Sequence, residues 1–156
     1  MMTRSRLSCP MPTSDAEIRS ILSRARTIAV VGLSEKPERD SNEVARYLLS
    51  QGYRIVPVNP TVAEVLGERS YPSLSAIPEA TRIDIVDVFR RSDQVPPVVD
   101  EAIARKAPVV WMQLGVEHAG AAAQARSHGL TVLENSCIMV QHRRLRIPPV
   151  GAGEVR

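Results

Sequence analysis

The sequence predicts an α/β fold: one Rossmann-like domain built on a doubly wound parallel sheet of about five strands. Three observations lead there. Short runs of Val, Ile, Ala and Leu recur at 27–31, 53–58, 83–89, 109–112 and 130–133, continuous rather than alternating, as in strands covered on both faces. Helical patterns separate most of them, and no Asn-Gly type of hairpin signal intervenes, so the strands are expected to run parallel through right-handed crossovers. The first run ends in Gly32, where a ligand-binding loop of such a sheet begins.

Taken in order, residues 1–12 carry Pro10 and Pro12 without periodicity and read as a flexible arm. Ser14 or Asp15 caps a short helix with Ile18, Ile21, Leu22 and Ala25 on one face. After the strand at 27–31 comes a polar loop, 33–40, then a helix over 41–51 with Val44, Tyr47 and Leu48 inward and Gly52 at its end. The second strand stops at Asn59-Pro60, because proline lacks the donor a central strand requires. An irregular stretch through Gly67 and Tyr71-Pro72 leads to Leu74, Ile77 and the third strand. A helix at 95–106 carries prolines at its start, where missing donors do no harm. A strand at 109–112, a helix at 117–128 closed by Gly129 and a last strand at 130–133 complete the domain, taken as 13–145. Residues 146–156 read as a flexible tail, and Arg143-Arg144-Leu145-Arg146 as a solvated end.

Composition narrows the function classes. The 156 residues are 44% hydrophobic and 24% charged, ordinary values for a globular protein. Only Phe89, Trp111 and three tyrosines supply rings, too few for a base-stacking surface, and twenty basic against seventeen acidic residues is a small, dispersed excess. A small anionic ligand fits these numbers better than nucleic acid. Cys9 and Cys137 make neither a disulfide framework nor a zinc cluster, the N-terminus has no apolar signal core, and no run reaches the ~20 apolar residues of a membrane helix. A cytoplasmic protein without membrane contact is expected. His118, His128 and His142 show no metal-ligand spacing or triad pattern, so no metal site and no catalytic constellation are assigned.

Ligands of a doubly wound sheet bind beyond the carboxyl ends of its strands. The loop at 32–41 offers Gly32 for close backbone approach, Ser34 and Ser41 as hydroxyls, Arg39 as a guanidinium fork and the free amides of the next helix. It lacks the G-x-G-x-x-G spacing of a dinucleotide site, and an ordinary capped loop has equal claim. Arg90 and Arg91 leave the third strand and suit phosphate oxygens, although an arginine pair is often only a solvated exit. Asp87, inside an apolar run, reads as partner to a backbone donor or an arginine. After the fourth strand either Gln113 reads polar edges and Gly115 lets a ligand approach the backbone, or Trp111 is core and Gly115 a plain turn residue. Asn59-Pro60 either shapes the adenosine side of a site or simply stops a strand.

From Ile28 to Leu145 the chain resembles the small stand-alone bacterial coenzyme A-binding proteins, related to the coenzyme A-binding domain of the succinyl-CoA synthetase α subunit. The blocks that carry the resemblance are Val31-Gly32-Leu33-Ser34 with Pro37, Arg39 and Ser41; Gly52-Tyr53 and Pro57-Val58-Asn59-Pro60; Gly67 and Tyr71 with Ser73-Leu74; 84–92; and Trp111-Met112-Gln113-Leu114-Gly115-Val116. It implies coenzyme A or an acyl-CoA as ligand, with the diphosphate on the 32–41 loop. The binding residues so implied are Gly32, Leu33, Ser34, Lys36, Arg39, Ser41, Asn59, Pro60, Phe89, Arg90, Arg91, Gln113 and Gly115. Where relatives often carry Asp-Arg-Cys after the last strand, this chain has Asn135-Ser136-Cys137. The histidine that transfers phosphoryl groups in the synthetase belongs to a domain outside this sequence, so a non-catalytic binder is expected, with room for an unidentified protein partner. The alternative is an NAD(P)-dependent Rossmann oxidoreductase or a dinucleotide-sensing regulator, against which stand the missing glycines and Asn59 in place of an acidic ribose ligand.

Overall fold

A computed structural model describes residues 13–151. The flexible arm expected at 1–12, with Cys9, lies outside the described residues. In chain order the strands are β1 (Thr27–Val31), β2 (Arg54–Val58), β3 (Glu64–Val65), β4 (Glu68–Arg69), β5 (Ile85–Val88), β6 (Val109–Met112) and β7 (Thr131–Leu133). Five of them form one parallel sheet in the order β2-β1-β5-β6-β7. The order reverses beside β1, whose neighbours are β2 and β5, and this switch point opens a crevice at the strands' carboxyl ends.

Helices cover both faces, which is why the strand runs are continuously apolar. Alternate residues of the strands point to opposite sides. Ala29, Val31, Val56, Val58, Val86, Val88, Val110 and Met112 face α3 (Val95–Ala104) and α4 (Ala119–Ser127). Ile28, Val30, Ile55, Ile85, Val109 and Trp111 face α1 (Asp15–Arg24), α2 (Asp40–Ser50) and α5 (Ile138–Arg144). The Ser14 hydroxyl accepts from Glu17 N–H while the Glu17 carboxylate accepts from Ser14 N–H, a complete capping box for α1. Gly52, at φ +94°, follows α2 and lets Tyr53 N–H return to the Leu48 carbonyl. Pro57 is tolerated because β2 is an edge strand; Tyr71 lies against that edge, donating to the Pro57 carbonyl.

Four expectations need correction. The stretch after β2 is not wholly irregular, since β3 and β4 make a small antiparallel pair. Its turn is Leu66-Gly67, both left-handed, so leucine does here what asparagine usually does. Helix α5 carried no predicted element, since it begins at Cys137 with no side-chain cap and ends in basic residues. That basic end is not simply solvated: Leu145 is buried, Arg144 pairs with Asp15 at 2.7 Å, and the Arg143 guanidinium lies over the Tyr47 ring. Nor is the chain loose straight after Leu145. Ile147 is buried and Val150 N–H donates to the Gln51 carbonyl at 2.7 Å, so residues 146–151 pack on the domain.

Candidate functional site

The crevice at the switch point encloses about 500 Å³, and is lined by Gly32, Ser34 and 38–41 after β1, Phe89 after β5, and Gln113, Leu114 and Val116 after β6. Its volume lies in the usual range for small-molecule sites. Gly32 makes the geometry possible. Its φ is +88°, and a Cβ there would lie 2.1 Å from the Phe89 carbonyl oxygen. Its N–H donates to the Val58 carbonyl, and Phe89 N–H donates to the Val31 carbonyl. The exits of β1, β2 and β5 are thereby drawn together at one glycine.

From Gly32 the loop is fixed by its own polar groups. Ser34 N–H donates to the Ser41 hydroxyl, Lys36 N–H to the Ser34 hydroxyl, and the Asn42 amide to the Ser34 carbonyl at 2.8 Å. Arg46 then bridges the Asn42 side chain and the Pro37 carbonyl. Arg39 stands at the N-cap of α2, with no side-chain cap bond, and its carbonyl accepts from Asn42 and Glu43. Asp40 and Ser41 supply first-turn amides that no carbonyl within the helix can accept. The Arg39 guanidinium is exposed and makes no ion pair among the described residues. Glu38 and Asp40 share the wall with it, so the positive potential comes from one guanidinium and the helix end against two carboxylates.

Of the residues singled out from the sequence, Gly32, Ser34, Arg39, Ser41, Phe89 and Gln113 meet in this crevice. Leu33 is buried beneath it and holds the Asn59 amide through its carbonyl at 2.9 Å. Asn59 also accepts from Thr61 N–H and hydroxyl, so its side chain ties the β2 exit to the loop. Lys36 and Pro60 are exposed outside the lining. Arg91 turns to Asp93, an exposed pair, and Arg90 is half-buried; neither lines the crevice. Gly115 is a left-handed turn residue whose N–H donates to Asn135 Oδ1 at 2.7 Å.

Leu114 and Val116 were missed. Leu114 is 72% exposed at the crevice lip, an unusual place for a leucine and a signal the sequence pattern alone does not carry. Asp87 is fully buried and its partner is neither backbone nor arginine: the Gln113 Nε2 donates to its Oδ1, while Oδ2 has no partner among the described residues. Burial drives its pKa up to about 8, against the smaller opposing effect of the Gln113 bond. Its immediate strand neighbours are Val30 and Trp111. Cys137 is half-buried at the start of α5, packed with the core.

The three histidines lie apart from one another in role. His118 caps α4 through Nδ1, His128 is exposed, and His142 is buried between Tyr47 and Tyr53. A larger cavity of about 680 Å³ sits at the opposite end of the strands. Of its three cationic side chains, Arg105 donates to the carbonyls of Leu74, Ile77, Pro78 and Thr81, and Arg82 pairs with Asp84. Among the described residues no helix is long and apolar enough to cross a membrane.

Comparison with known proteins gives this crevice its context. The model of the CoA binding domain matches residues 26–143, which include every strand of the sheet and every residue of the crevice wall. The chain belongs to the CoA-binding domain family. Within that family it is 46% identical over 129 residues to the uncharacterized protein YneT of Bacillus subtilis (strain 168), spanning 83% of this chain and 94% of YneT. A hypothetical protein from Pyrococcus horikoshii OT3 superposes with a TM-score of 0.83 at 42% identity, over 88% of this chain and 98% of that one. The CoA-binding domain also resembles part of a larger enzyme. The dinucleotide-forming acetyl-coenzyme A synthetase 1 of Ca. Korarchaeum cryptofilum matches 73% of this chain but only 26% of its own length, with a TM-score of 0.65 and 30% identity. The chain is thus a relative of the CoA-binding domains of acyl-CoA synthetases.

Proposed function

We propose that this CoA-binding domain protein binds coenzyme A or an acyl-CoA in the switch-point crevice, with the diphosphate against the 32–41 loop. The observation that carries the reading is the coincidence of the family match with a glycine-floored crevice beside a guanidinium that makes no ion pair among the described residues. Arg39 and the first-turn amides of α2 supply the charge and donors an anion needs. Gln113 reads polar groups from the facing wall, and Leu114 and Phe89 offer apolar surface to the organic part of the ligand. Arg90, half-buried after β5 but outside the lining, ranks after Arg39.

The same geometry favours holding the ligand over transforming it. Both crevice hydroxyls accept a backbone N–H, from Lys36 and Ser34, and the described histidines are engaged in a helix cap, the surface and the core. The protein acts as a binding module, a carrier or sensor of the acyl-CoA pool.

Calorimetric titration with coenzyme A, acetyl-CoA, NAD and ATP tests the reading. Saturable binding of a CoA species that weakens in Arg39→Ala is expected. Saturable NAD binding with no heat from either CoA species would overturn it in favour of a dinucleotide site.

A further inference from the structure

Asp87 and Gln113 join the sealed interior to the crevice wall. Asp87 sits in mid-sheet on β5, fully buried, with Oδ2 unpartnered among the described residues. Gln113 follows β6, is 3% exposed, lines the crevice and donates through Nε2 to Asp87 Oδ1. Its other amide atom, Oε1, has no protein partner among the described residues and is not sealed from solvent, so it opens to the crevice.

Two arrangements of this pair follow from elementary hydrogen-bond chemistry. A carboxylate only accepts, so it must take the Gln113 N–H, leaving the amide oxygen toward the ligand. A neutral carboxylic acid has a proton to place. It is best satisfied by donating to Oε1, which rotates the amide and turns its two N–H donors outward. The first arrangement presents a partial negative charge to a bound anion, the second a donor. A carboxylate oxygen left unpartnered in a dry interior is costly, whereas the second oxygen of a neutral acid is cheaply left alone.

We propose that Asp87 is a positioning residue whose proton sets the direction of the Gln113 amide, making the crevice donor-lined toward an anion when Asp87 is neutral and acceptor-lined when it is ionised. The inference rests on the coenzyme A reading for its natural ligand but not for its existence. The structure holds the first arrangement, Nε2 donating to Oδ1, and even against that bond burial raises the Asp87 pKa to about 8; the neutral form, with the rotated, anion-favouring amide, therefore prevails at pH 7 and is lost as pH rises through that value. The other charged groups on the crevice are Glu38, Arg39 and Asp40. Beside Asp87 in the sheet, β1 presents Val30 and β6 presents Trp111. Cys137 lies next to Ser136, whose carbonyl accepts from the Trp111 indole, and is replaced so that its thiol stays out of the fluorescence signal.

The experiment therefore uses the full chain in a Cys137→Ser background, with and without Asp87→Asn, which is isosteric and cannot ionise. The first readout is ligand-free. Trp111 is the sole tryptophan of the chain and the strand neighbour of Asp87, so its emission reports the ionisation directly. A fluorescence transition centred near pH 8, absent in Asp87→Asn, is expected, with the Gln113 side-chain amide resonances moving over the same range. The second readout is calorimetric affinity for acetyl-CoA, which has no free thiol, over the same pH range. It should fall about tenfold on the alkaline side of the transition, the order of one hydrogen bond to a charged group, and stay level in Asp87→Asn. Gln113→Leu should also remove the pH dependence. A flat wild-type profile, or the same fall in Asp87→Asn, would overturn the proposal. Absence of acetyl-CoA binding at every pH, with the Trp111 transition intact, would overturn the coenzyme A reading alone. The switch would then be read with inorganic sulfate, whose charge is constant here, and sulfate affinity that ignores Asp87 would overturn it too.

Discussion

Replacing Gly32 by alanine strikes the point where three strand exits meet, and its cost can be worked from the geometry. The residue has φ +88°, where an L-residue is disfavoured by about 1–2 kcal/mol. The added Cβ would lie 2.1 Å from the Phe89 carbonyl oxygen and 3.0 Å from its carbon, contacts with backbone that no side-chain rotation relieves. Overpacking of that kind costs about 1–3 kcal/mol. The sum, about 2–5 kcal/mol, corresponds to a fall in Tm of about 5–15 °C for a domain of this size. Because Phe89 would have to move away from β1, coenzyme A affinity should fall more than stability alone explains. Gly67 and Gly115 are the internal controls: each has positive φ but nothing within 4 Å of an added methyl, so alanine there should cost only the conformational part, about 1–2 kcal/mol. Thermal and urea unfolding of the three variants measure the ranking. A Gly32→Ala protein within about 0.5 kcal/mol of wild type, or no worse than Gly115→Ala, would refute the steric argument.

Other consequences are open to direct measurement. Ser14→Ala removes the α1 capping box and should lower stability by about 1 kcal/mol in urea unfolding. His142 is buried between two tyrosine rings, with Nε2 unpartnered among the described residues, and burial lowers its pKa below the ordinary 6.5. The unfolded chain therefore binds the proton more readily, so stability should rise with pH up to about 6.5 and be lost as pH falls below it; His142→Leu should flatten that acid limb. Leu114→Ser, at a 72% exposed position, should leave Tm nearly unchanged while weakening coenzyme A binding about fivefold, the worth of about 1 kcal/mol of apolar contact.

The sheet was legible because its five strands are covered on both faces, which forces continuous apolar runs, and because Gly32 stands where only glycine fits. Helix α5 was not. Seven residues, capped by a cysteine that makes no cap bond and closing on arginine, give little periodicity, and the partners Tyr47, Tyr53 and Asp15 show why the helix is held. The site was half legible for a related reason. A sequence places a residue at a strand exit but does not choose its rotamer. Arg91 pairs with Asp93 and Asn59 faces inward, although both sit in the expected loops. Gln113 was found as a strand-end polar residue, yet its pairing with Asp87 depends on the register of β5 against β6, which no local pattern encodes.

Amide-resolved NMR during titration of coenzyme A into the isotopically labelled chain tests the central claim most directly, since it reports binding and location together. Saturable shifts are predicted at Gly32, Ser34, Asp40, Ser41, Phe89, Gln113 and Leu114. Shifts clustered instead at Ser75, Arg82, Arg105 and Lys106, at the opposite end of the strands, or no saturable shift at all, would contradict the account.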